Sequence, residues 1–126
     1  MTLGRRAGRR AALFMLFQWD VTGKELGSTY EGHVDDYAWD LARDVAARAA
    51  ELDGRIDQAS EGWPAGRLGA LERNVLRIAI HELEQEEVPM EVAIDEAVRL
   101  ARRYASDEAG RLVNGILGRI AKEEVA

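Results

Sequence analysis

The chain has 126 residues, no cysteine, and 17 Lys+Arg against 23 Asp+Glu, for a net charge of -6. That length predicts one domain, with 47% hydrophobic residues to fill a single core. A disulfide framework, thiol catalysis and cysteine-ligated metal sites are excluded; no apolar run approaches the roughly 18 residues of a membrane span and no signal-peptide core opens the chain, so a cytoplasmic protein is expected.

The first element is a helix over about 3–21. Leu13, Leu16, Phe17 and Val21 form its apolar stripe, with Ala12, Met15 and Trp19 beside it. Ahead of that stripe, Arg5, Arg6, Arg9 and Arg10 follow i, i+1, i+4, i+5 spacing and occupy a sector of about 140°. Residues 1–19 contain these four arginines and no acid, a segment of +4 that leaves -10 on the rest of the chain. Cations in the first turns oppose the helix dipole, at a few tenths of a kcal/mol each. Two readings fit. One is a frayed, solvated terminus. The other is an arm that projects beyond the core, whose four unpaired guanidiniums serve an anionic partner. The bias of 15 Arg to two Lys (Lys24 and Lys122) needs no more than a GC-rich genome.

A second helical segment is predicted over about 33–50, with Val34, Tyr37, Ala38, Leu41, Val45 and Ala49 on its apolar face. It continues after a break at Asp53-Gly54, and Leu52, Ile56 and Ala59 fit a shorter helix ending near Ser60. Asp35, Asp36, Asp40 and Asp44 read as a solvated face with Arg43 and Arg48. Gly62, Pro64 and Gly66 punctuate the stretch that follows.

The next helix, over about 68–86, carries two stripes: Leu71, Val75, Ile78 and Ala79, then Leu68, Leu76, Ile80 and Leu83. Two stripes require burial on two sides, which makes this the central helix. Pro89 suits the first turn of a fresh helix, whose core positions are Ile94, Ala97, Val98, Ala101, Tyr104 and Ala105. Glu96–Arg99 and Asp95–Arg99 are predicted to pair along its exposed side. The last helix opens with Ser106 as N-cap and Asp107 and Glu108 in its first turn. Leu112, Val113, Ile116, Leu117 and Ile120 face its core. Gly115 inside that helix costs about 1 kcal/mol against Ala, which is understandable if something must approach the backbone there.

Catalytic signals are weak. His81-Glu82 starts an HExxH pattern that fails at Gln85, and His81 reads as a surface or boundary residue. The 12 glycines form no GxGxxG or phosphate loop. Glu82, Glu84, Glu86, Glu87 and Glu91 follow no calcium-loop pattern and read as a solvated acidic end or a docking surface for a basic protein. No catalytic residue, metal or cofactor is expected.

Four stretches, taken in order, carry a resemblance. Arg5-Arg6-Ala7-Gly8-Arg9-Arg10-Ala11-Ala12-Leu13-Phe14-Met15-Leu16-Phe17-Gln18 resembles the opening RRxAR…A…LYQ of the NusB antitermination factors. Leu71-Glu72-Arg73-Asn74-Val75-Leu76-Arg77-Ile78-Ala79-Ile80-His81-Glu82-Leu83 is similar to the family's central ILRLAxYEL helix. Val88-Pro89 with Val92-Ala93-Ile94-Asp95-Glu96-Ala97-Val98 resembles VPxxVAINEAVELAK, and Leu112-Val113-Asn114-Gly115-Ile116-Leu117 resembles FVNGVLD. Together they span most of residues 5–120, while 22–66 match only in length and helical character.

The resemblance implies an all-α, NusB-like fold of two small helical bundles packed across each other, with about six to seven helices. It implies one RNA-binding domain over 1–126, with helical halves at about 1–60 and 61–126. It also implies a non-enzymatic role: binding the boxA RNA of ribosomal RNA leader transcripts with the ribosomal protein NusE, so that the transcription elongation complex passes terminators and ribosomal RNA matures. By position, RNA contacts fall on Arg5, Arg6 and Arg9, with Arg10 as an extra cation, and on Arg111, Leu112, Asn114 and Gly115; the NusE contact falls near Phe17 and Glu72. The two RNA groups are expected to meet in space. Phe17 replaces the family's Tyr, Leu112 its Phe, Asp95 its Asn and Gly8 its Ala. The other readings are a helical protein–protein adaptor without RNA binding and a piece linked to a ribosomal RNA methyltransferase, for which 126 residues leave no catalytic domain. Monomer and homodimer both occur in the family, and a dimer hiding the arginine arm would be autoinhibited.

Overall fold

The computed structural model describes residues 2–60, 62 and 65–125; the expected punctuation at Pro64 lies outside them. Six α-helices and one 3-10 turn account for the fold, and no strand occurs among the described residues. They are α1 (Thr2–Thr22), α2 (Asp36–Ala47), α3 (Ala49–Ala59), the 3-10 turn Ala65–Arg67, α4 (Ala70–Gln85), α5 (Met90–Tyr104) and α6 (Asp107–Val125).

The caps follow local chemistry. Asp35 starts α2, its Oδ1 accepting from the Ala38 N–H at 2.8 Å. Ser106 starts α6 as its spacing predicts, its hydroxyl accepting from the Ala109 N–H at 3.0 Å. The second helical segment, however, breaks at Arg48 and not at Asp53-Gly54. At Arg48 the backbone leaves helical geometry (φ -104°, ψ 12°), and its side chain reaches Glu51, Glu84 and His81. Asp53-Gly54 stays inside α3 because the Asp53 carboxylate is held by Arg77 and does not compete for its own backbone.

α4 is the central helix, in contact with each of the other five α-helices. Its two apolar stripes predict burial on two sides, and the ten consecutive residues from Asn74 to Leu83 are all buried. Leu76, Ile78 and Ile80 meet Leu13, Met15 and Leu16 of α1, Leu52 and Ile56 of α3, and Ile116, Leu117 and Ile120 of α6 in one core. Burial at this level also encloses Asn74, Arg77, His81 and Glu82, which must be satisfied inside the protein.

At the start of α4 an ionic network does this. Asp20, near the end of α1, accepts from Arg73 Nε at 2.9 Å, Asn74 Nδ2 at 3.0 Å and Arg77 Nη1 at 3.1 Å. Arg77, only 5% exposed, also forks onto Asp53, with both bonds at 2.7 Å. Arg73 Nη1 donates to the carbonyls of Ala65 and Leu68, anchoring the turn before α4. Truncating Arg77 strands the Asp53 carboxylate and leaves Asp20 to Arg73 and Asn74. Arg77→Ala is therefore expected to lower unfolding free energy in chemical denaturation by about 3–5 kcal/mol.

Candidate nucleic-acid and partner interface

The α1 arginines do not form a projecting array of four unpaired cations. Arg9 is 1% exposed and forks onto Glu82 of α4, with Nε to Oε1 at 2.8 Å and Nη2 to Oε2 at 2.7 Å. Burial pushes the Arg9 guanidinium down, but the hydrogen bond and charge of Glu82 outweigh it, and the net direction is upward. Arg6 is half-buried and donates to Glu96 of α5 at 2.8 Å. Arg5 lies over the Tyr37 ring, 5.6 Å from its centroid. A Cβ on Gly8 would come 2.5 Å from that same ring, so the family's Ala gives way here to a glycine that seats Tyr37. Burial, then the Glu82 charge, raises the Tyr37 phenol above its ordinary value. Arg10 alone of the four is exposed, and it makes no ion pair among the described residues. The expectation of a projecting arm is corrected for a simple reason: α4 carries a buried acid, and the nearest cation on α1 neutralises it.

The arm instead walls a cleft. Arg6 pairs with Glu96, and eight residues later on both helices Phe14 meets Tyr104 edge-on, with ring centroids 4.9 Å apart. α1 and α5 therefore run in the same direction. Between these two rungs lies a cleft of about 160 Å3, lined by Arg6, Arg9, Arg10, Arg99, Arg103 and Glu96 among others. Glu96 is buried against Arg6 and does not pair with Arg99 as its spacing suggests; Arg99 stays exposed with no ion pair among the described residues, and Asp95 does not bind it. Arg99 and Arg103 are the residues that sequence reasoning missed. Their i, i+4 spacing was the signal that could have found them, and assigning Arg99 to helical neighbours concealed it.

The residues expected to meet NusE lie toward the other end of α1 and at the start of α4. Arg9 binds Glu82, late in α4, and Asp20 binds Arg73, early in α4, so the two helices are antiparallel. Phe17 lines an open cleft of about 400 Å3 with Phe14, Gln18 and Tyr30. Glu72 lies in the first turn of α4, favoured there by the helix dipole. It shares a second cleft, of about 490 Å3, with Arg67, Ser106, Glu108 and Leu112. The structure thus brings Leu112 to Glu72, and no residue of that cleft lines the arginine cleft. The α1 arginines and Leu112 of α6 line separate clefts. Arg111, Asn114 and Gly115 are exposed on α6, and a Cβ on Gly115 would meet nothing within 4 Å, so no described group of this chain closes on it. Two buried side-chain atoms lack a hydrogen-bond partner among the described residues: Arg9 Nη1 and Gln18 Oε1.

The glutamates do not form one solvated acidic end. Glu82 is buried on Arg9, and Glu84 is held by Arg48 and Arg55, whereas Glu86, Glu87 and Glu91 are exposed. His81 is buried, not a surface residue, and its Nδ1 lies 2.8 Å from Arg48 Nη1. A guanidinium only donates, so Nδ1 must be the acceptor and the ring neutral. Burial, followed by the Arg48 charge, lowers the His81 pKa. No group of three or more metal-ligating side chains occurs among the described residues, and no helix there is long and apolar enough to cross a membrane.

The sequence model of the NusB family matches residues 6–122. The chain is similar to the transcription antitermination protein NusB of Rubrobacter xylanophilus, with 41% identity over 91% of this chain and 88% of that protein. Its fold is similar to NusB of T. maritima, with TM-score 0.83 and 37% identity over 94% of this chain and 91% of that one. A third likeness is to a crystal structure of the antitermination factors NusB and NusE in complex with dsRNA, with TM-score 0.83 and 28% identity over 98% and 99% of the two chains.

Two outcomes follow from the arginine and histidine geometry. Arg9→Ala leaves Glu82 buried and unpaired, and is expected to lower stability by about 3–5 kcal/mol in chemical denaturation. Arg9→Met with Glu82→Leu recovers most of that loss, and Arg10→Ala leaves stability unchanged. His81 takes up a proton less readily folded than unfolded, so the unfolded state binds more protons and stability falls as pH drops below 6.5. The stability difference between the wild type and His81→Gln is expected to narrow as thermal melts are taken from about pH 7.5 to about pH 5.5.

Proposed function

The chain belongs to the NusB family, and from that premise we propose that it is a transcription antitermination factor which binds boxA RNA of ribosomal RNA leader transcripts together with the ribosomal protein NusE. Its work is binding, not catalysis, and it takes place on the transcription elongation complex in the cytoplasm. The relative solved with NusE and dsRNA supports both partners.

The observation that carries this reading is the division of labour along α1. One end of the helix, with Arg6, Arg9 and Arg10, opens on an arginine cleft, with Arg5 beside it over Tyr37; the other, with Phe17, opens on a wider cleft bordered by aromatic side chains. Eleven residues separate Arg9 from Asp20, about 16 Å along the helix axis. Arginine forks suit phosphate oxygens, which position RNA without reading its bases. Arg111, Leu112, Asn114 and Gly115 of α6 extend the RNA contact toward Glu72, so the two partners adjoin at the cleft that Leu112 and Glu72 share. Phe17 and Glu72 form the NusE contact, and the chain works as one RNA-binding domain whose helical halves, about 1–60 and 61–126, are joined through α4. Arg9 serves the RNA contact from behind the surface, by holding α1 to Glu82 of α4.

The test is a titration with boxA RNA, with and without NusE, at two salt concentrations. Replacing Arg5, Arg10 and Arg111 by Ala while retaining Arg9 is expected to weaken binding and to flatten the salt dependence by about 0.7 in slope for each phosphate that is no longer neutralised. Unchanged affinity and slope would sink the RNA claim for these arginines, and no binding by the wild type would favour a protein–protein adaptor without RNA binding.

A further inference from the structure

Arg99 and Arg103 stand one helical turn apart on α5 and face Arg6 and Arg10, one turn apart on α1, across the same cleft. Two acids offset part of this charge: Glu96 takes Arg6, and Glu82 takes Arg9. Arg10, Arg99 and Arg103 have no carboxylate partner among the described residues, and all three are exposed. Like charges at i, i+4 destabilise a helix slightly, and three uncompensated guanidiniums around one cleft repel one another. A second feature points the same way. Arg9, almost wholly buried, lines this cleft and keeps one nitrogen, Nη1, with no acceptor among the described residues. A buried charged donor without an acceptor costs stability unless a ligand supplies one.

We propose that the α1–α5 cleft is a phosphodiester subsite in which Arg99 and Arg103 hold the backbone of the bound RNA between the α1 arginines and the α6 contacts. This rests on the RNA-binding reading above and adds residues that the family motifs do not assign. Continuity supports it. The cleft runs from the Arg6–Glu96 rung to the Phe14–Tyr104 rung, about 12 Å by helix rise. α5 ends at Tyr104, and α6 starts at Asp107 and carries Arg111 and Leu112. α5 packs along α6, so the cleft and the α6 contacts belong to one helical hairpin. The subsite grips phosphate oxygens and does not select bases, because its exposed donors are guanidinium forks.

The experiment compares the wild type, Arg99→Gln with Arg103→Gln, and a control of equal charge change, Arg43→Gln with Lys122→Gln. Each is titrated with boxA RNA in the presence of NusE at two salt concentrations, after thermal melts verify folding. The α5 double variant is expected to bind about tenfold more weakly near 0.1 M salt, with a slope shallower by about 1.4, and the control to match the wild type. Unchanged affinity and slope in the α5 variant, with wild-type RNA binding intact, would overturn the subsite and leave the RNA reading standing. A control that weakens equally would overturn it as well, reducing the effect to net charge. Saturable binding of inorganic phosphate that only the α5 variant loses, with RNA binding unaltered, would reassign the cleft to a free anion. Failure of the wild type to bind the RNA at all would overturn the RNA reading itself.

Discussion

The burial of α4 on all sides is the constraint from which the remaining arrangement follows. Ten consecutive residues of a helix that meets five others are buried, and four of them are polar or charged: Asn74, Arg77, His81 and Glu82. A polar group enclosed without a partner costs about 1–3 kcal/mol, and more when charged. Each of the four therefore demands a counterpart at a fixed place: Asp20 for Asn74, Asp20 and Asp53 for Arg77, Arg48 for His81, Arg9 for Glu82. These partners lie on α1, on α3 and at the α2–α3 junction, so satisfying α4 sets how those helices lie against it. The apolar core is permissive about small shifts; the forked ion pairs are not.

On the proposed reading, this arrangement ties RNA binding to folding. The helix that carries the arginine-rich motif also supplies the cation that α4 needs, and one residue of the motif, Arg9, is enclosed to provide it. The motif thus contains two kinds of arginine. Arg10 is free to meet a phosphate, while Arg9 holds α1 to α4 and presents its neighbours at the right angle. Arg5 and Arg6 stand between these extremes, oriented by Tyr37 and Glu96 but still reachable.

Much of the fold was legible in the sequence where the signal is local. The two stripes of α4, the Ser106 cap and the 3–4 spacing of α5 and α6 depend on neighbours along one helix, and they hold, except that Ala105 lies past the end of α5 and is exposed. Ordered motifs carried the family resemblance. Long-range charge pairing was not legible. Glu96 has Arg99 three residues away, yet it binds Arg6, ninety positions distant, because burial leaves α1 as its nearest cation. Glu82 and Glu84 read as part of a solvated run, but the helix face each occupies decides its fate. Helical spacing says which residues share a face. It does not say what covers that face, and for the candidate site that question separates Arg9 from Arg10 and brings Arg99 and Arg103 into view.

The two unpartnered buried atoms, Arg9 Nη1 and Gln18 Oε1, lie on the same helix nine residues apart. Nine residues make two and a half turns, so the side chains leave α1 on opposite sides, about 13 to 14 Å apart along its axis. α1 is thus a gauge that fixes both the distance and the angle between two interfaces. A single inserted or deleted residue between positions 9 and 18 would swing one interface by about 100° relative to the other, even if every side chain kept its identity. On the proposed reading this stretch of helix carries one register for both partners, which fixes its length.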